Sequence, residues 1–275
     1  RILEQGGTAV DAAIAVNAMM GLVAPMNDGI GGDLFAIVYD AKTGQLHGLN
    51  ASGWAPQGLS ADYLRAKGRT RMPTRGIDAA TVPGAVKGWE ALHRRFGRLV
   101  MREILAPVIA YAEAGFPVGE VVSVYWKDSE RDLRADSATA ATFLPGGRVP
   151  AVGDLFRNPD LAWSYRRIGE HGAADFYTGA IAAKLLASQR QHGGTMQAAD
   201  LAEYDVEWVT PISTTYHGWT VYELPPNGQG LAALEMLNIM ERFPLVNWGH
   251  NSARALHHMI EAKKLAYADI RRYFA

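Results

Sequence analysis

Asn27-Asp28-Gly29-Ile30-Gly31-Gly32-Asp33-Leu34-Phe35-Ala36-Ile37-Val38-Tyr39-Asp40 is the stretch from which the fold is read. Its first half packs three glycines into the four residues Gly29 to Gly32. Glycine serves where the backbone takes a positive φ or where another group comes close. Its second half, Leu34 to Tyr39, is an unbroken apolar run containing Ile and Val. Such a run predicts a strand buried on both faces. A glycine turn feeding a buried strand is a place where a site can be built, although most glycine turns only redirect the chain.

Downstream, Asp40-Ala41-Lys42-Thr43-Gly44 reads as a hairpin loop and Gln45 to Leu49 as the return strand. Asn50-Ala51-Ser52-Gly53-Trp54-Ala55-Pro56 then forms a polar, glycine-containing loop. Upstream, Arg1 to Gln5 reads as the end of a helix, closed by Gly6-Gly7. Thr8 and Asp11 have the spacing of a capping box. The helix they open, Ala9 to Met20, carries almost no charge and is predicted to be buried on most sides.

Further along, Ser60 caps a short helix that stops at Gly68, and Arg69 to Arg75 is a basic, irregular segment, either a solvated loop or an anion contact. Helices are expected from Gly84 to Gly97 and from Met101 to Gly115, whereas 121–148 is polar and weakly periodic. Asn158-Pro159 has the cap-then-proline signature of a helix start. Helices over Asp160 to His171 and Ala180 to His192 follow, with a turn or two from Ala198. A β pair, Glu207 to Tyr216 and Trp219 to Glu223, flanks His217-Gly218. Pro225-Pro226-Asn227-Gly228-Gln229-Gly230 opens a helix over Leu231 to Arg242. This second glycine-rich turn either offers free N–H groups to an anion or carbonyl or is a rigid connection. A last helix, capped by Asn251 or Ser252, runs to the end. With no repeat, low-complexity tract or linker, residues 1–275 read as one domain.

The 275 residues are 48% apolar, enough for a large core. The formal charge of −1, from 27 basic and 28 acidic residues, gives no basic excess for nucleic acid or an anionic membrane. Zero cysteines exclude disulfides and thiolate chemistry. No apolar run is long enough to span a membrane. The chain lacks an initiator Met, and both ends are expected to be internal to a longer gene product. Any targeting signal would precede Arg1, so cytoplasmic and periplasmic or secreted locations stay open. No nucleotide-binding glycine loop and no serine-hydrolase elbow occurs. His257, His258 and Glu261 are too few for a metal site, because adjacent histidines face different sides of a helix. The residues alone name no nucleophile.

Seven stretches, in order and over nearly the whole chain, together resemble the large subunit of the γ-glutamyltranspeptidase family. They are Gly6-Gly7-Thr8-Ala9-Val10-Asp11-Ala12-Ala13-Ile14-Ala15, Gly29-Ile30-Gly31-Gly32, Val82-Pro83-Gly84, Ala112-Glu113-Ala114-Gly115-Phe116, Asp175-Phe176-Tyr177-Thr178-Gly179, Thr210-Pro211-Ile212 and Lys264-Leu265-Ala266-Tyr267-Ala268-Asp269. The resemblance implies an α+β, N-terminal nucleophile hydrolase fold, a four-layer αββα sandwich. It also implies a zymogen that cuts itself. The new N-terminal Thr of the small subunit, expected after residue 275, is the implied nucleophile, so no catalytic residue is expected in this chain. The implied partners are that small subunit and a small amide substrate, with a dimer of heterodimers left open; no cofactor or metal is implied.

The chain departs from the family pattern in three places. γ-Glutamyl-specific members place an Arg for the glutamate α-carboxylate in the loop after the hairpin, where this chain has Ser52. The four-glycine run reads Gly31-Gly32-Asp33-Leu34, and the Pro-Ser-Ser-Gly-Gly turn reads Pro226-Asn227-Gly228-Gln229-Gly230. These variants resemble the cephalosporin-acylase-like branch. Asn50, Ser52, Arg75 and Asp33 are the expected substrate-binding residues, Arg75 as a substitute for the missing charge. Three functions follow as expectations: γ-glutamyl hydrolysis or transfer in glutathione metabolism, a cephalosporin or glutaryl acylase, and a non-catalytic binding relative.

Overall fold

The computed structural model describes residues 1–273; Phe274 and Ala275, the end of the expected last helix, lie outside the described residues. In chain order the elements begin with α1 (Ala9–Val23), β1 (Leu34–Asp40), β2 (Gln45–Ala51), α2 (Ala61–Ala66), α3 (Ala85–Phe96) and α4 (Met101–Ala114). Then come β3 (Phe116–Pro117), α5 (Glu120–Leu133), α6 (Ser137–Phe143), β4 (Leu155–Phe156), α7 (Pro159–His171), α8 (Ala173–Tyr177), α9 (Ala180–Gln191) and α10 (Ala198–Ala202). β5 (Glu207–Val209), β6 (Ile212–Tyr216), β7 (Trp219–Glu223), α11 (Gly230–Met240) and α12 (Ala253–Tyr273) complete the order. Two units form: Arg1–Asp33 with Gly53–Asp205, and Leu34–Ser52 with Val206–Ala275.

The first unit is helical. Thr8 and Asp11 make the expected capping box, with Thr8 N donating to Asp11 Oδ2 (2.8 Å) and Asp11 N to Thr8 Oγ1 (3.2 Å). Asp11 is fully buried and also accepts from the amides of Arg98 and Leu99, so it ties the start of α1 to the end of α3. Arg1 to Gln5, expected as a helix end, is a turn closed by Gln5 N on Arg1 O. α1 is less buried than its composition predicts: Val16 and Met20, one turn apart, stay exposed, while Ile14, Ala18 and Leu22 face the core. α4 packs on α7 and α1, and Trp89, Ile104, Leu105, Tyr165 and Ile168 fill the space between.

The polar stretch 121–148 contains two helices that the sequence reading missed, α5 and α6. Their faces are mostly polar, and α5 is anchored by one fully buried residue, Trp126. Trp126 meets Phe156 edge-on at 4.7 Å between ring centroids and donates its indole N–H to Phe143 O (2.8 Å). A single aromatic anchor supplies the packing that a periodic stripe supplies elsewhere.

The second unit holds the strands. β1 and β2 form the expected hairpin, Leu34 opposite Ala51 through Asp40 opposite Gln45, and β5 adds to the other edge of β2. The long strand expected from Glu207 to Tyr216 is broken. Pro211 has no N–H to give a ladder, so β5 stops at Val209 and pairs with β2, while β6 starts at Ile212 and pairs with β7. His217 and Gly218 both take positive φ, 47° and 83°, the pattern of a tight two-residue hairpin turn. β1 is not buried on both faces: Phe35, Ile37 and Tyr39 are exposed, and alternate residues are half-covered. Three strands with apolar side chains on both faces leave one face open. α11 packs against β6, β7 and α12.

Candidate functional site

Within the second unit, β2 carries Asn50 at its end, opposite Phe35 of β1. Facing residues of an antiparallel pair share a sheet face, so Asn50 lies on the face that exposes Phe35 and Ile37. Asn50 turns its side-chain oxygen back onto the chain and accepts from Ser52 N at 2.9 Å. Its amide nitrogen donates to Asn227 Oδ1 at 3.1 Å. Asn227 Nδ2 in turn donates to Ser52 Oγ at 2.8 Å. Three residues separated by up to 177 positions thus close a ring of hydrogen bonds through their side chains and the Ser52 amide. None of the three carries a formal charge.

Sequence reasoning named Asn50 and Ser52 as site residues but not Asn227. Its signal was present, because Asn227 sits in the second glycine-rich turn at one of the positions that depart from the family pattern. The residues after it, Gly228, Gln229 and Gly230, line an open groove of about 460 Å³ with Phe35, Ile37, Glu223 and Leu224. Gln229 is held by Tyr267, whose hydroxyl donates to its side-chain oxygen at 2.6 Å. A side chain at Gly230 would meet Glu223 at 2.7 Å, so only glycine lets the strand turn this closely into α11. Glu223 already places its carboxylate beside that helix start.

The other two expected residues lie in the first unit. Asp33 Oδ1 accepts from Gly53 N at 2.8 Å. Asp33 thus fixes the loop that begins directly after Ser52. Arg75 pairs with Asp132 of α5. The pair borders a cavity of about 190 Å³ whose walls include Pro25, Met26, Trp126 and Phe143. The glycines of the opening stretch do not act as expected, since Gly29, Gly31 and Gly32 all avoid the left-handed region. Gly32 instead offers its carbonyl to the amides of Gly84 and Ala85, each at 2.9 Å, and so satisfies the start of α3. His257 and His258 meet edge-on at 5.5 Å between ring centroids, His258 Nδ1 contacts Arg254 O at 2.8 Å, and Glu261 pairs with Lys264. Among the described residues no group of three or more His, Asp or Glu is placed to hold a metal. No helix among them is long and apolar enough to cross a membrane.

The motifs that carry the resemblance serve the scaffold. Tyr177 of the Asp175–Gly179 motif donates to Pro83 O at 2.7 Å and accepts from Lys87 N at 3.0 Å, fastening the Val82-Pro83-Gly84 turn to the start of α3. Asp175 takes a bidentate contact from Arg167, at 2.8 and 2.5 Å. The Arg167 guanidinium, with help from the Ala180 amide, lowers the Asp175 carboxyl to a pKa of about 2. A Cβ at Gly179 would lie 2.5 Å from that carboxylate. Burial pushes the Tyr177 and Tyr165 phenols far above their usual range, so both stay protonated.

A sequence model described as Gamma-glutamyltranspeptidase matches residues 1–275. The glutathione hydrolase-like YwrD proenzyme of Bacillus subtilis (strain 168) is 36% identical over 270 residues, 98% of this chain and 51% of the relative. The chain thus spans about half the length of the curated relatives it matches. The crystal structure of cephalosporin acylase from Bacillus halodurans superposes with a TM-score of 0.93 at 41% identity, over 99% of this chain and 52% of that one. Helicobacter pylori γ-glutamyltranspeptidase superposes with a TM-score of 0.93 at 30% identity, over 100% of this chain and 80% of that one. The α+β, N-terminal nucleophile hydrolase class expected from the sequence is the class of these structures. Motifs in family order, an architecture shared with both solved enzymes and a match from the first residue to the last make this chain a member of the γ-glutamyltranspeptidase family.

Proposed function

We propose that the full-length protein is an amide hydrolase and acyltransferase of this family, with residues 1–275 as one large-subunit domain. Its nucleophile is the N-terminal Thr of a small subunit released from the same precursor. The Thr hydroxyl attacks the acyl carbon of the amide, and its own α-amine takes the hydroxyl proton. The amine product leaves with a proton, and the acyl group remains as an ester on Thr. Water or an acceptor amine then attacks that ester and frees the Thr. The large subunit binds the acyl end through Asn50 and Ser52, with Asp33 holding the adjoining loop and Arg75 as the reserve cation. No metal or organic cofactor takes part.

The observation that carries this reading is the match of the family's sequence model to residues 1–275. An acylase acting on glutaryl or related acyl amides is the second reading, favoured by 41% identity to a cephalosporin acylase. A steady-state comparison of γ-glutamyl and glutaryl anilides with the purified full-length protein tests both. Turnover of either anilide, abolished when the first residue of the small subunit is replaced, is the expected result. A full-length protein that stays uncut and inert toward both is the outcome of a non-catalytic binding relative and overturns the proposal.

A further inference from the structure

The ring formed by Asn50, Asn227 and Ser52 joins two separate stretches, the loop after the first hairpin and the turn before α11. We propose that Asn227 is a specificity-determining positioning residue, which holds Ser52 and keeps this position uncharged, so that the site selects acyl groups without a carboxylate at their distal end. The inference rests on the acyl-transfer reading above.

The direction of the hydrogen bonds carries the argument. Asn50 uses its oxygen on Ser52 N and its amide on Asn227 Oδ1. That leaves Asn227 to present its amide nitrogen, a donor, toward residue 52, where Ser52 Oγ accepts it. An acceptor at residue 52 completes the ring. A guanidinium there has five donors and no acceptor, so it meets the Asn227 amide donor against donor. The ring thus both supplies a neutral polar surface and opposes a cation at residue 52 while Asn227 is present. A γ-glutamyl group presents a carboxylate that needs a charged partner for a strong, directional contact, and this ring has none. The apolar groove residues Phe35 and Ile37 share the face on which Asn50 sits, and Gly228 of the groove follows Asn227 directly.

The test uses the full-length protein in two measurements. The first is a thermal-stability cycle of Ser52→Ala, Asn227→Ala and the double variant. Because each single change breaks the same bond, the double variant should lose little more than either alone, whereas strictly additive losses would overturn the inference. The second is the kcat/KM ratio for γ-glutamyl anilide over pentanoyl anilide, which has the same chain length without the carboxylate, in the wild type, Ser52→Arg, Asn227→Ser and Ser52→Arg/Asn227→Ser. Ser52→Arg alone should raise the ratio little. The pair should raise it about 10-fold beyond the product of the single effects, the coupling expected of touching residues. A ratio that rises fully with Ser52→Arg alone, or that no variant moves in an active enzyme, would show Asn227 to be structural and overturn the proposal. A wild type with intact thermal coupling that turns over neither anilide would instead overturn the acyl-transfer reading, and the inference with it.

Discussion

At the residue scale, charge is placed where it holds the scaffold and withheld where the acyl end is proposed to bind. Asp175 is buried and doubly held by Arg167. Removing one partner of such a pair leaves the other charge buried and costs about 3–5 kcal/mol. Arg167 is partly exposed, so we expect Arg167→Ala to cost about 3 kcal/mol, the low end of that range, read by urea unfolding of the full-length protein. The pH dependence has a definite sign. The folded carboxyl titrates at about 2, below its unfolded value near 3.9. The stabilisation is therefore complete above about pH 4 and lost as pH falls toward 2. In Arg167→Ala that acid-side loss should shrink; an unchanged acid profile would contradict the assignment. Ser52 yields the complementary prediction. A lost carboxylate partner costs about 2–5 kcal/mol, so γ-glutamyl anilide kcat/KM should lie roughly 30-fold to several-thousand-fold below that of Arg-bearing relatives. Activity equal to theirs, unaffected by Arg75→Ala, would refute both the role of Ser52 and the reserve role of Arg75.

At the element scale, local chemistry was legible wherever one residue makes a turn or a cap, and obscure wherever distant segments meet. Thr8 with Asp11, Asn158 with Pro159, and Ser60 all cap as read, because a cap needs only its own next turn. α5 was hidden because its anchor, Trp126, packs on Phe156, thirty positions away. Gly53 was legible only as a loop residue, yet a Cβ there would lie 1.9 Å from Val82 O. Gly53→Ala should cost about 1–3 kcal/mol, the usual range for overpacking. Gly31→Ala, with open space around its Cβ, should be near neutral; equal losses in a thermal melt would refute this. Another link between distant elements joins α9 to α6. His192 Nδ1 faces Ser188 O at 2.9 Å and its Nε2 faces Asp136 Oδ2 at 2.9 Å. The Ser188 hydroxyl also lies 3.4 Å from Nδ1, and the protonated ring donates from both nitrogens, to Ser188 O and to Asp136. The Ser188 carbonyl first, and then Asp136, raise its pKa above the ordinary value near 6.5. The link therefore stabilises fully below about pH 6.5 and is lost as pH rises through the raised folded value. Asp136→Asn keeps the α6 cap and should lower the His192 pKa in an NMR titration. An unmoved pKa would show that the carboxylate does not hold the proton.

At the scale of the whole molecule, the fold class was legible because seven short motifs recur in one order. Asn50 and Ser52 were legible as site residues but their third partner was not, because Asn227 meets Ser52 only after the chain has placed the second glycine turn beside β2. The same limit explains the misjudged strand. Leu34 to Tyr39 is apolar on both faces, as its composition says, but Phe35, Ile37 and Tyr39 remain exposed. An open apolar face of a three-stranded sheet is an aggregation hazard, and a net charge of −1 gives little repulsion against it. Several relatives are named proenzymes, which fits a chain completed by the remainder of its own precursor. We therefore expect the full-length product to mature into two polypeptides that separate on a denaturing gel without reductant, since this chain has no cysteine to tie them. Residues 1–275 expressed alone should bind a hydrophobic dye and aggregate. The same residues made as part of the full-length product should remain soluble and bind the dye weakly. Phe35→Ser/Ile37→Ser should improve solubility of the chain alone while weakening its association with the rest of the protein. A cooperative, monomeric and dye-free melt of unaltered residues 1–275 would show that the open face needs no partner.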